Sequence, residues 1–137
     1  MSAGASVVLD AWAVMAYLHG EPAGAVVRDV LEDARAAGSS LPLSVVNWGE
    51  VVYLTVRARG REEAVRVVAA LDALPIAVED ADRALTSRAA ILKAEHRLSY
   101  ADAFAAALAL ALDTPLLTGD PEFRALEPEL RLRWIGA

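Results

Sequence analysis

The chain has 137 residues, 56% of them hydrophobic, with a mean hydropathy of +0.36; this composition excludes global disorder and supports a single domain over residues 1–137. There is no cysteine, which excludes disulfides, thiolate metal sites and a cysteine nucleophile. The formal net charge of −6 argues against tight, sequence-independent binding to nucleic acid, which rests on many phosphate contacts.

In chain order, Ser6–Leu9 reads as a short buried strand ending at Asp10, and Ala11–Leu18 as a helix broken by Gly20-Glu21-Pro22. Pro22–Ala37 is a second helix, because Val26, Val27, Val30, Leu31 and Ala34 recur on one face against Arg28, Asp29, Glu32 and Asp33. Gly38 ends it. Ser40–Pro42 is a weak strand, and Ser44 caps a third helix that runs to about Ala58 before Gly60. Arg61–Ala73 is a fourth helix, and Pro75–Val78 reads as a strand. Asp80–Arg97 and Ser99–Leu112 are the fifth and sixth helices. Pro115–Thr118 is a buried strand, Asp120 opens a short helix, and Leu132–Ile135 is the last strand. Strands that alternate with helices predict an α/β fold: a mainly parallel sheet of about four to five strands, flanked by helices on both faces. Sites in such sheets form beyond the carboxyl ends of strands, where Asp10 and Asp120 both fall.

Four acids stand in apolar surroundings that do not suit a lone charge: Asp10, Glu50, Asp102 and Asp120. Each has a structural reading. Asp10 can cap the helix that follows it. Ser99 and Asp102 have the spacing of a capping box. Asp120 precedes Pro121 at a helix start. Glu50 lies inside a helix, where capping cannot explain it, although a pair with Arg57 could. Taken together the acids point elsewhere. Carboxylates from separate elements that meet in the fold would repel, raising their pKa values or demanding a cation. Hard oxygen ligands suit Mg2+ or Mn2+, and such ions on carboxylates hydrolyse phosphodiesters. Glu122, in the first turn after Asp120, is a further, weaker ligand or water-positioning group.

The remaining polar and aromatic residues read as structural. His19 and His96 lie far apart with no zinc-like spacing. Trp12, Trp48 and Trp134 are dispersed and are expected in the core or an interface rather than in a base-stacking platform. Arg57, Arg59 and Arg61 surround the turn at Gly60 and read as solvated. No Lys or Arg precedes the first apolar run, and Ala103–Leu112 is too short to span a bilayer, so the expected location is cytoplasmic.

Five segments in order carry a family resemblance: Val7-Val8-Leu9-Asp10, the Gly20-Glu21-Pro22 break, Asn47-x-x-Glu50, Ser99-Tyr100-Ala101-Asp102-Ala103, and Leu117-Thr118-Gly119-Asp120-Pro121-Glu122-Phe123. Nearly end to end, the chain resembles the PIN domain family, and within it the VapC-type toxins of bacterial toxin–antitoxin pairs. The resemblance implies a three-layer α/β sandwich and a Mg2+- or Mn2+-dependent ribonuclease. It implies that Asp10, Glu50, Asp102 and Asp120 form the acidic quartet, with Asn47 and Thr118 beside it to orient the ligands. It also implies a homodimer, a VapB-type antitoxin encoded alongside, and a structured RNA substrate such as transfer RNA. One departure is visible: many relatives follow the first Asp with small hydroxyl residues, whereas Ala11, Trp12 and Ala13 follow it here.

Two other functions compete. A phosphorelay receiver domain shares the size, the α/β class and an acidic magnesium site, but it needs paired acids after the first strand and a lysine after a late one. Asp10 stands alone, and Lys93 falls in a predicted helix. A non-catalytic binding module of the same fold would use the acids only as helix caps.

Overall fold

The computed structural model describes residues 6–137, so residues 1–5 of the expected domain lie outside it. Five strands form one sheet: β1 (Val8–Leu9), β2 (Leu41–Ser44), β3 (Ile76–Glu79), β4 (Leu116–Thr118) and β5 (Leu132–Trp134). Their spatial order is β3-β2-β1-β4-β5, and every pairing is parallel. Between the strands run α1 (Ala11–Leu18), α2 (Pro22–Ala36), α3 (Val45–Arg59), α4 (Arg61–Asp72), α5 (Arg83–Glu95) and α6 (Tyr100–Ala111), with a 3-10 helix at Pro121–Leu126 between β4 and β5.

Strand alternation divides the buried side chains between two cores. Val8 and Leu116 pack on one face of the sheet with α5, α6 and Phe123 of the 3-10 helix. Val7, Leu9, Leu43 and Leu117 pack on the other face with α1, α2, Val51 of α3 and Leu71 of α4. The result is the three-layer sandwich expected from the alternation of strands and helices. Helix α6 is buried without interruption from Ala103 to Ala109. Its run of alanines lets it lie close to the sheet, and only its first turn carries an acid.

Strand β2 and helix α5 depart from the sequence reading for definite physical reasons. Strand β2 is Leu41–Ser44 and sits inside the sheet, despite Pro42, which cannot donate to a ladder. Proline is tolerated here because β1 is so short: its pairing with β2 is confined to Leu9 opposite Leu43. Helix α5 starts at Arg83, not Asp80, because Asp82 is its cap and accepts from the Leu85 N–H at 2.8 Å.

The strand order fixes where a site can form. From β1 the chain proceeds one way to β2 and β3; through β4 it continues on the other side to β5. The connections diverge between β1 and β4, which opens a crevice at their carboxyl ends. The same order removes the receiver-domain reading, whose sheet runs 2-1-3-4-5. Lys93 lies on α5 and donates to the Leu98 carbonyl, as a helix-end lysine does.

Candidate active site

Asp10 follows β1 directly, and Thr118 ends the neighbouring strand β4, whose Leu117 is in register with Leu9. The two side chains therefore meet. Thr118 Oγ1 donates to Asp10 Oδ2 at 2.6 Å, and the Ala13 N–H donates to Oδ1 at 2.8 Å. Asp10 is thus both the cap of α1 and, at 1% exposure, a fully buried acid. Thr118 Oγ1 also accepts from the Asp120 N–H at 3.0 Å, so one hydroxyl links two of the acids. Asp120 caps the 3-10 helix through the Glu122 N–H at 3.0 Å.

Asn47 is buried in the first turns of α3. Its Nδ2 donates to Glu50 Oε1 at 3.0 Å and to the Ala101 carbonyl of α6 at 3.0 Å. One amide thereby ties the acid of α3 to the turn that carries Asp102. Asn47 Oδ1 has no partner among the described residues.

Asp102 resolves the capping question. Ser99 Oγ accepts from the Asp102 N–H at 3.1 Å, which is the first half of a capping box. The reciprocal bond is made by another residue: the Ser99 N–H donates to Glu122 Oε1 at 3.0 Å. With Glu122 closing the box across the chain, the Asp102 carboxylate is left to face its acidic neighbours. Among the described residues, oxygens of Asp102, Asp120 and Glu122 lie within 4.8 Å of one another. The tightest acidic group therefore includes Glu122, the weaker candidate of the sequence reading, while Asp10 and Glu50 stand beside it.

Electrostatics show that the four acids of the quartet share one field. Burial pushes the Asp10 carboxyl up to about 7; the hydrogen bonds from Thr118 and Ala13 oppose this, and the charges of Asp120 and Glu50 add to it. Asp102 is pushed up to about 8 by burial first, then by a hydrogen bond shared with Glu122, and by the charges of Asp120, Asp10 and Glu122. Glu50 is raised by burial, with Asn47 opposing and Asp120 adding. A cation would relieve all of these at once. The donors are hard oxygens, three of them close enough to share one ion, so the residues fit Mg2+ or Mn2+.

The acids open into a cleft of about 450 Å³. Trp12, Met15 and Ala16 line it from α1, His19 and Glu21 from the turn that follows, Glu50, Leu54 and Ala58 from α3, and Asp102 and Asp120 close it. Trp12 and His19 were not expected here. The signal was available, since positions 12, 15, 16 and 19 recur at helical spacing on one face of α1. Its weak point was that this face is mostly apolar and reads as core.

The match to the PIN domain model covers residues 7–127. The chain belongs to the PIN domain family. Solved PIN-fold structures of similar shape include the DNA-bound VapBC complex of Salmonella typhimurium, at 15% identity and a TM-score of 0.74 over 95% of this chain and 98% of that one. The VapBC2 complex of Rickettsia felis, bound to a promoter fragment, gives 18% identity and 0.72 over 93% and 96%. VapC20 of Mycobacterium tuberculosis, described as a toxin that cleaves the sarcin-ricin loop, gives 21% and 0.63 over 89% and 95%. At these identities the likeness establishes the fold. Comparison with curated protein sequences gives no match. Among the described residues, no helix is long and apolar enough to cross a membrane.

Proposed function

We propose that the protein is a VapC-like endoribonuclease that hydrolyses RNA phosphodiester bonds with Mg2+ or Mn2+, and that a VapB-type antitoxin holds it inactive. The observation that carries this reading is the meeting of Asp102, Asp120 and Glu122 within 4.8 Å, beside the buried Asp10 and the half-buried Glu50. PIN membership and the VapBC complexes of the same fold support the toxin assignment. A helix-capping module would need neither a raised Glu50 nor an Asp102 carboxylate released from its own box.

Asp102 and Asp120 would hold the ion together with Glu122, whose oxygen lies within reach of theirs, and Asp10 and Glu50 would stand beside it. When bound, the ion acidifies water and offsets the charge that builds on the phosphate. The protein's own residues do the positioning. Thr118 fixes Asp10 and the Asp120 backbone together, so both stay in place as substrate enters. Asn47 holds Glu50 by one oxygen, which orients the carboxylate to take a proton from the attacking water. Glu122 anchors the start of α6 and so fixes Asp102. The active species would be a homodimer, and the substrate a structured RNA.

The test is hydrolysis by protein purified free of antitoxin. RNA should be cut in Mg2+ or Mn2+, and EDTA should stop it. Asp10→Ala, Glu50→Ala, Asp102→Ala and Asp120→Ala should each lose about a hundredfold or more while remaining folded. Identical purification controls for contaminating nuclease. If Asp10→Ala and Asp120→Ala cut as fast as wild type, the activity belongs to another protein and the assignment fails.

A further inference from the structure

The cleft poses an electrostatic problem. It must admit a polyanion, yet Glu21, Glu50, Asp102 and Asp120 line it and no Arg or Lys does. Bound cations can balance the reacting phosphate, but the flanking nucleotides need another source of affinity. The cleft wall offers one large aromatic surface, Trp12, beside the smaller ring of His19. It is partly exposed, while its neighbours Ala11, Ala13 and Val14 are buried.

The indole is also held in place. A methyl group added at Gly119 would collide with the outer end of the Trp12 ring, so only glycine lets the ring lie there. Gly119 directly precedes Asp120, so the ring rests on the backbone that carries a site carboxylate. A preset aromatic surface suits a flat heteroaromatic partner, because neither loses much freedom on stacking.

We infer that Trp12 stacks on the nucleobase next to the scissile phosphate and biases the cut toward the bases that stack most strongly. The inference rests on the ribonuclease reading. The chain would then hold RNA by its bases rather than by its phosphates.

Two measurements test it. In the first, cleavage of a defined RNA by wild type, Trp12→Phe and Trp12→Leu is followed at each site. Trp12→Leu should raise KM roughly tenfold or more, with a smaller change in kcat, and flatten the base preference at the cut. Trp12→Phe should keep the preference and lose less affinity. Unchanged KM and unchanged base preference in a folded Trp12→Leu protein would overturn the inference while leaving the nuclease intact. In the second, Trp48→Phe/Trp134→Phe protein, with Trp12 as its one tryptophan, is titrated in Ca2+ with a short oligoribonucleotide and with its abasic counterpart. Quenching by the first and not by the second supports stacking. Equal quenching, or none, overturns it. The second measurement needs no turnover. If neither wild type nor its acid variants cleave RNA, the ribonuclease reading falls, and the titration still decides whether bases stack on Trp12.

Discussion

Asp10 shows how one residue can serve fold and chemistry together. Its carboxylate caps α1 and accepts from Thr118, yet the complete burial that fixes it also raises its pKa from 3.8 to about 7. Asp102, raised by burial first and then by its acidic neighbours, reaches about 8. Both folded values exceed the unfolded ones. The folded, metal-free protein therefore keeps these protons after the unfolded chain has released them. Stability from this source is complete below about pH 4 and is lost as pH climbs towards 7 to 8. Melting temperatures without metal should fall across that window, a trend opposite to ordinary acid denaturation, and a flat profile would contradict the burial of Asp10. Metal must displace the same protons. Mn2+ affinity should rise with pH to about 8 and binding should release protons, which calorimetry in buffers of different ionisation enthalpy can count. Asp102→Asn isolates the crowding. Because Glu122 closes the capping box, the substitution keeps the N–H bond to Ser99 and removes a carboxyl that the folded, metal-free protein must hold protonated above about pH 4. We expect it to match or exceed the metal-free wild type in stability, by up to about 1 kcal/mol read from thermal melts, while abolishing cleavage. A clear loss of stability would mean that the carboxylate is needed at the helix start.

At the scale of elements, periodicity made most of the fold legible. The 3.6-residue pattern of Val27, Val30, Leu31 and Ala34 marked α2, and each of those side chains is buried in the core. Short apolar runs ending in Asp10 and Thr118 marked β1 and β4, and their carboxyl ends meet as a parallel sheet requires. Pairing register and close approach were less legible, because they depend on partners remote in sequence. Ser40–Pro42 read only as a weak strand, and the short β1 explains how the ladder of β2 tolerates its proline. Glu122 could not be matched with Ser99, because 23 residues separate them. Gly24 was silent as well. It lies inside α2, where glycine costs about 1 kcal/mol relative to alanine, so propensity alone makes Gly24→Ala stabilising. In the fold, a methyl group there would collide with the backbone of Ala16 and Tyr17 on α1. Backbone cannot rotate aside as a side chain can, so the steric cost should exceed the propensity gain. We expect Gly24→Ala to lose about 2 kcal/mol net, measured by denaturant midpoint. A gain in stability would show that α1 and α2 can separate freely.

Across the whole molecule, charge limits how RNA can be held. The four acids were legible as polar residues in apolar settings, but the cleft they open into was not. Its lining residues come from α1 and α3, and only the strand order reveals that those helices share a wall. That cleft is lined by no Arg or Lys, and Arg57, Arg59 and Arg61 surround Gly60 at the end of α3, the helix that supplies Glu50, Leu54 and Ala58 to it. Arg59 lines a neighbouring hollow that shares Met15, His19, Leu54 and Ala58 with the acidic cleft. Counterion release turns this distribution into a measurable quantity. Each phosphate neutralised on a single strand adds about −0.7 to the slope of log K against log salt. If all three arginines engaged the RNA, the slope would be near −2; if they remain solvated, it would approach zero. With a net charge of −6 and stacking as the main attraction, we expect a slope no steeper than about −2. Arg59→Ala should make it shallower by at most about 0.7. Filter binding across a salt series, with Ca2+ held constant, provides the measurement. A slope near −5 would require several more phosphate contacts than this surface supplies, and would point to RNA lying across a second subunit rather than along the cleft of one.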